Sequence, residues 1–434
     1  MMEVGSYIKL QRVKQGMTQE ELANGIVSMS YLSKIENQRT DASPEVINLL
    51  CTRLGIEIDN EKDVTIKEKC ERWYDLLFEV NDRDDIINGY KQLKTLMDTV
   101  SSNNFMMFEI HKIRYYLVLG KFSEALQQIN HLTEISNTFD NLHRYYWYKF
   151  KGNYHSTNGD FNQAMKLYEL AEDKLKQLDL PEHEEADLYY IMSVTHSKLH
   201  NTLESIDYAE RSIHIFQKEY HFLRCAQCHV VLGISFRRLQ MYDKAIKNYN
   251  LAKHLAKLEH NNQLIQLTNM NLGYLHSTKG NSRDSIQYYS EIIDDEEGDV
   301  IIRLTSITSL IKLYYSIGNI EKTKEMIDRG FALLEDNATI TTTNTAIRYT
   351  ATETVKINYY LLTTYKYAIN HEYHKFEKMV IHEFIPFLKK IKEHNNLVDI
   401  SKMLAEHFEK QNKYKQAVKY YKLVNLTYNQ LISI

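Results

Sequence analysis

The sequence predicts an all-α protein in two parts, a short N-terminal helical bundle followed by a right-handed helical-repeat solenoid, and three observations carry that prediction. Helix breakers are scarce, with 3 prolines and 14 glycines in 434 residues, while Leu, Lys, Glu, Gln and Ala supply helix propensity throughout. A pair of short, well-capped helices is written into TQEELANGIVSMSYLSKIEN at 18–37. A turn of the form G-x-[FY]-x-x-A then recurs about every 40 residues along most of the remaining chain. The expected domains are 1–58, a charged connection at 59–70, and a repeat domain at 71–434.

The elements follow in order. Ile8 and the aliphatic stem of Arg12 fit a first helix. Thr18 followed by Glu21 is a capping box, in which the hydroxyl accepts from the backbone at the third helical position and the carboxylate reaches back. Gly25 permits the left-handed turn that ends this second helix, and Ser28 caps a third that carries Tyr31, Leu32 and Ile35. Ser43-Pro44 opens a fourth, with proline at the favoured first position. Residues 1–58 hold six Lys or Arg against seven Asp or Glu, so any nucleic-acid binding must come from shape and placement rather than net attraction.

Beyond the connection, turns start at 120, 159, 200, 240, 280, 318, 371 and 412. All are 38 to 41 residues apart except the 53 between 318 and 371. A threonine-rich patch at 339–345 falls in that longer interval. GNYHSTNGDFNQAMKLYELA from 152 and NLGYLHSTKGNSRDSIQYY from 271 look like tetratricopeptide repeats. Their period exceeds the usual ~34 residues, so helices longer than standard are expected. Such units cannot bury an apolar face alone and must stack, presenting a concave surface.

Counting back six residues from each turn, and one helical turn to either side, selects polar residues on the inner face. They are Arg114, Lys149, Asn153, Tyr190, Gln227, Arg237, Arg238, Asn269, Asn271, Tyr274, Lys312 and Tyr315. Asn and Gln can pair with both backbone groups of an extended peptide, and Arg or Lys can hold a carboxylate. A plain solvated helix face is the alternative for each.

Several patterns are set aside. CAQCH at 225–229 matches a haem-attachment motif but falls inside a repeat helix, where Cys225 and Cys228 serve as small apolar residues. DDEEGD at 294–299 lacks the alternating ligand spacing of a calcium loop. HEYH at 371–374 has no further ligands to complete a zinc site. No phosphate loop, nucleophile elbow or dinucleotide fingerprint is present. The expectation is therefore no enzyme, no cofactor and no metal. The start, MMEVGSYIKLQ, lacks a secretory pattern, and no segment approaches ~20 apolar residues, so a cytoplasmic protein without a membrane partner is expected.

Gly5, Ile8, Arg12, Thr18-Gln19, Leu22-Ala23 and SYLSKIEN at 30–37 resemble the helix-turn-helix of the phage-repressor, or Cro/CI-like, family. That resemblance implies that Ser28, Met29, Ser30 and Lys34 face base edges, with Gln19 and Tyr31 nearer the phosphates. It also implies that Arg12 and Glu36 form a buried ion pair, and with so few cations left to meet phosphates the protein is expected to read two-fold operator DNA as a homodimer. Such a head joined to tetratricopeptide-like units resembles the peptide-pheromone receptors of Gram-positive bacteria, looking most like the NprR members in length and domain order. The implied function is quorum-sensing transcription control, with a short re-imported signalling peptide in the groove and a dimer or peptide-bound tetramer as the active form. A Rap-like inhibitor that binds a response-regulator protein is the alternative.

Overall fold

A computed structural model describes residues 4–37, 39–58, 60–79, 83–102, 104–336 and 348–432. The described residues are almost entirely helical, and two two-residue strands, Glu57–Ile58 and Val100–Ser101, pair in parallel. The chain divides into two compact units, Met1–Pro181 and Glu182–Ile434.

The first unit opens with α1 (Val4–Lys14), α2 (Gln19–Ala23), α3 (Met29–Glu36) and α4 (Pro44–Arg53). The caps stand where the sequence places them. Glu21 N donates to Thr18 Oγ1 at 3.2 Å and Thr18 N donates to Glu21 Oε2 at 2.6 Å. Ser28 caps α3, Ser43 caps α4, and Gly25 takes the left-handed conformation at φ 71°. Ile8, Leu22, Leu32 and Leu50 are fully buried and fill the centre of this bundle. Gly5 lies so close to the Ile35 carbonyl that any Cβ would collide with it, which lets α1 lie on the end of α3.

The segment expected as a connection, 59–70, is different. From Asn60 it belongs to one helix, Asn60–Glu79, with Ile66 and Cys70 buried. Ile66, Cys70, Trp73 and Leu77 recur at helical spacing, and that buried stripe outweighs the charged residues between them. Helices Arg83–Thr99, Phe105–Leu119, Phe122–Thr133, Asn141–Thr157 and Phe161–Leu175 complete the unit. The four-helix head is docked on these helices. Tyr7 meets Phe105 edge-on with ring centres 4.5 Å apart, and Lys14 Nζ lies 3.5 Å from Glu109 Oε1. One apolar core runs from Tyr7 to Phe150, so the compact unit does not break at 58 or 70.

The second unit explains the 40-residue period. Glu182–Lys198, Thr202–Lys218, Phe222–Arg238, Tyr242–Leu258 and Asn262–Thr278 are each 17 residues long and separated by three-residue turns. Two such helices with their turns make 40 residues. His200, Tyr220, Gln240, His260 and Gly280 stand in the left-handed conformation in these turns, with φ between 50° and 76°. Four of these five are not glycine, and the turn pattern picks out 200, 240 and 280, which carry Ser or Ala five residues on, while 220 and 260 carry Cys225 and Ile265. Ser282–Ile293, Val300–Ser316 and Ile320–Asp336 follow, and then Arg348–Ile369, which is 22 residues long. The threonine-rich patch at 339–345 lies outside the described residues. Tyr373–Met379 runs through a wide π turn, Val380–Phe384, into Ile385–Lys390, where Pro386 cannot donate a backbone N–H to the regular ladder. His394–Lys410 and Tyr414–Ile432 are the last two described helices.

Candidate functional site

Two candidate surfaces emerge, one on α3 and one in the second unit. On α3, Met29 is 56% exposed, and Ser30 and Lys34 also face solvent. Their backbone is held by the Ser28 cap, whose hydroxyl accepts from Tyr31 N at 3.2 Å. Tyr31 is half-buried and donates its hydroxyl to the Asp41 carbonyl at 3.3 Å. Gln19 is also half-buried, and its Nε2 donates to Glu36 Oε2 at 2.6 Å. Arg12 closes on the same carboxylate through Nε at 2.6 Å and Nη2 at 3.0 Å, while its Nη1 donates to the Met17 carbonyl at 2.7 Å. This buried fork ties α1 to α3 and leaves Arg12 unable to reach a phosphate. Exposed Lys34 and Arg39 supply positive charge near the outward face of α3.

The second surface is a groove of about 640 Å³ within Glu182–Ile434. Four of the twelve inner-face residues line it: Arg237, Asn271, Tyr274 and Lys312. Arg237 lies over the Tyr274 ring at 4.6 Å, and its Nε is shut off from solvent without an acceptor. The adjacent Arg238, which does not line the groove, is held below its ordinary pKa by burial and by the Arg237 charge. Lys312 Nζ donates to Asn396 Oδ1 at 2.6 Å and to Asp399 Oδ2 at 2.8 Å. Asn271 Nδ2 donates to the Leu267 carbonyl at 2.9 Å, one turn back.

The other eight are placed elsewhere or are already engaged. Arg114, Lys149 and Asn153 belong to the first unit. Lys149 is buried beside Tyr145, and Asn153 Oδ1 accepts from the Tyr168 hydroxyl at 2.8 Å. Arg114 is half-buried. Tyr190 and Gln227 meet Arg224, which sits 5.9 Å over the Tyr190 ring and donates to Gln227 Oε1 at 3.3 Å. Arg238 donates to the Ser197 carbonyl and hydroxyl. Asn269 is buried and donates to Glu291 at 3.2 Å, with its own Oδ1 unmatched. Tyr315 lines a separate cavity of about 350 Å³ with Tyr373, Phe376 and His407.

Counting from turns missed Thr308, Asn358, Asn396 and Asp399, which complete the groove. Asn358 is buried, accepts from Thr308 Oγ1 at 2.8 Å and donates to Thr305 Oγ1 at 3.3 Å. It sits in the helix that follows the irregular interval, where the repeat count loses register. A polar Asn inside the apolar run INYYLL was the available signal.

A helix-turn-helix family model matches residues 8–60, and a soluble NSF attachment protein (SNAP) model matches residues 147–307. The transcriptional activator NprA of Geobacillus stearothermophilus is 31% identical over 420 residues, covering 95% of this chain and all of that protein. The apo form of the quorum sensor NprR from B. thuringiensis matches with TM-score 0.68 at 18% identity, over 85% of this chain and 99% of that one. NprR in complex with its cognate peptide NprX matches with TM-score 0.57 at 18% identity, over 83% and 98%. The two structural likenesses show the all-helical fold over most of the chain, and the family model marks the helix-turn-helix at its start.

Proposed function

This chain belongs to the family of the transcriptional activator NprA, and from that premise we propose that it is a transcription regulator switched by a short signalling peptide. The groove carries the reading. It offers part-exposed amides at Asn271 and Asn396 for the backbone of an extended peptide, and Arg237 for a carboxylate. NprR, whose fold this chain shares, is solved in complex with its cognate peptide NprX. Residues 1–58 act as the DNA-reading domain and read operator DNA through Met29, Ser30 and Lys34, with Ser28 setting the helix start. With so few exposed cations, two heads on a two-fold site double the phosphate contacts of one, and the regulator acts as a dimer.

Peptide acts by selecting one arrangement of the assembly over another, which it can do only by binding the two with different affinity. No helix among the described residues is long and apolar enough to cross a membrane, and the regulator works in the cytoplasm, where its DNA is. It belongs with transcription regulators rather than enzymes.

The test uses purified full-length protein and synthetic peptides taken from any small secreted-peptide reading frame found beside its gene. Calorimetry, sedimentation and operator-binding anisotropy are recorded with and without peptide. A peptide-dependent change in operator affinity that Arg237→Ala and Asn271→Ala both weaken supports the reading. Unchanged peptide affinity in both variants removes the groove assignment. If neither assembly nor operator affinity responds to any peptide, a constitutive DNA-binder or the Rap-like alternative, capture of a response regulator, is favoured.

A further inference from the structure

We propose that His183, Glu219 and His221 form a zinc site in the second unit, separate from the groove. The three residues stand at three helix ends. His183 lies in the first turn of Glu182–Lys198, Glu219 closes Thr202–Lys218, and His221 opens Phe222–Arg238. One ligand atom from each lies within 4.8 Å of the others. Glu219 Oε2 is the shared vertex, 3.7 Å from His183 Nδ1 and 3.5 Å from His221 Nε2.

Those separations decide between two chemistries. Charge-assisted hydrogen bonds run to about 2.7–2.9 Å, so neither pair is one. Ligands bound to Zn²⁺ at about 2.0–2.1 Å in a tetrahedron stand roughly 3.3 Å apart, close to the 3.7 and 3.5 Å from Glu219 Oε2 to the two imidazoles, with the third separation inside 4.8 Å. A second observation is independent of the distances: Glu219 Oε2 is shut off from solvent and receives no hydrogen bond. A bare buried carboxylate oxygen is costly unless a charge or metal faces it. Two imidazoles and one carboxylate suit Zn²⁺, whereas Ca²⁺ and Mg²⁺ take about six or more oxygens. Three protein ligands leave a fourth position for water. Cys225 and Cys228 are not in this group of ligand atoms.

The turn supplies the geometry. Tyr220 is left-handed at φ 61° and 76% exposed, so the residue between the two ligands projects outward while Glu219 and His221 converge on His183. The equivalent left-handed turns at His200, Gln240 and His260 carry no such trio among the described residues. The bound ion pins the first helix of the unit to the hairpin that follows its neighbour, and it stabilises the folded state by mass action.

Full-length protein stripped with chelator is titrated with Co²⁺ as a spectroscopic stand-in, then with Zn²⁺ in competition. One equivalent of Co²⁺ is expected to give the intense visible absorption of four-coordinate cobalt, and Zn²⁺ to displace it and raise the thermal midpoint. His183→Ala and His221→Ala remove part-exposed side chains and are expected to keep the wild-type circular dichroism. They should lose the absorption and bind Zn²⁺ at least about tenfold more weakly. Glu219→Gln keeps the shape without the charge, and should weaken binding likewise, which carries the test if an alanine variant unfolds. Equal zinc affinity in the His183→Ala/His221→Ala double variant, or no saturable single-equivalent binding by wild type, overturns the site.

Discussion

Arg12 shows what a single buried charge does in this protein. Glu36 is fully buried and takes three donors, two from Arg12 and one from Gln19. Arg12→Ala leaves the carboxylate with one donor and no counter-charge, and should cost about 3–5 kcal/mol, read as a lower urea midpoint. Wild-type stability in that variant would show that the pair is dispensable. Glu109 makes a second case, with a pH signature. Burial alone would raise its carboxyl pKa, but Lys112 at 2.8 Å, Lys14 and the Gln128 amide together hold it at about 2. An unfolded glutamate titrates near 4.3, so the contribution is complete above that pH and is lost as pH falls towards 2. Glu109→Gln should flatten the pH dependence of stability across that window, and an unaltered profile would refute the assignment. Residues of the first kind were legible: Arg12 and Glu36 matched a known helix-turn-helix pattern. Glu109 was not, because its partners Lys14 and Gln128 come from other helices at no fixed spacing.

At the scale of elements, one packing device repeats. Gly152, Gly233 and Gly273 each face a tyrosine sixteen positions later, Tyr168, Tyr249 and Tyr289. The missing Cβ lets the ring lie flat on the partner helix, which sets how closely each helix pair can approach. A Cβ at Gly233 would overlap the Tyr249 ring deeply, whereas at Gly273 it would stand 2.9 Å from Tyr289 Cε1. Gly233→Ala should therefore cost about 1–3 kcal/mol by overpacking and Gly273→Ala less, measured as paired thermal midpoints. Equal costs would mean that the rings move aside freely. The period and the helix starts at Phe122, Phe161, Thr202, Tyr242 and Ser282 could be read directly from the turns. The left-handed turns at Tyr220 and His260 could not, because Cys225 and Ile265 stand where the turns that were read carry Ser205, Ala245 and Ser285. The helix from Asn60 was hidden for another reason: its polar face is dense with charge, and only its partners reveal the buried stripe of Ile66, Cys70, Trp73 and Leu77. His183 stayed invisible as a ligand because it is 36 residues from Glu219, and only the stacking of three helix ends brings them together.

For the whole molecule, the proposed switch places its two ligands in different compact units, operator on the first and peptide on the second. Coupling between them is a single free energy and must be reciprocal. If peptide tightens operator binding by some factor, operator must tighten peptide binding by the same factor, whatever structural route carries the effect. Two variants separate the halves. Arg237→Ala alters the groove and leaves α3 untouched, so operator affinity without peptide should match wild type while the response to peptide is lost. Lys34→Ala should weaken operator binding and leave peptide affinity measured without DNA unchanged, because Lys34 is exposed on α3 and makes no part of the groove. Completing the cycle by anisotropy for DNA and calorimetry for peptide gives the coupling twice, once from each side. Disagreement between the two values beyond error would mean that some other species, such as a change in assembly, enters the equilibrium. A drop in peptide-free operator affinity in Arg237→Ala would mean that the groove residue supports the DNA-competent form directly, and the ligand-switched scheme proposed here would have to be abandoned.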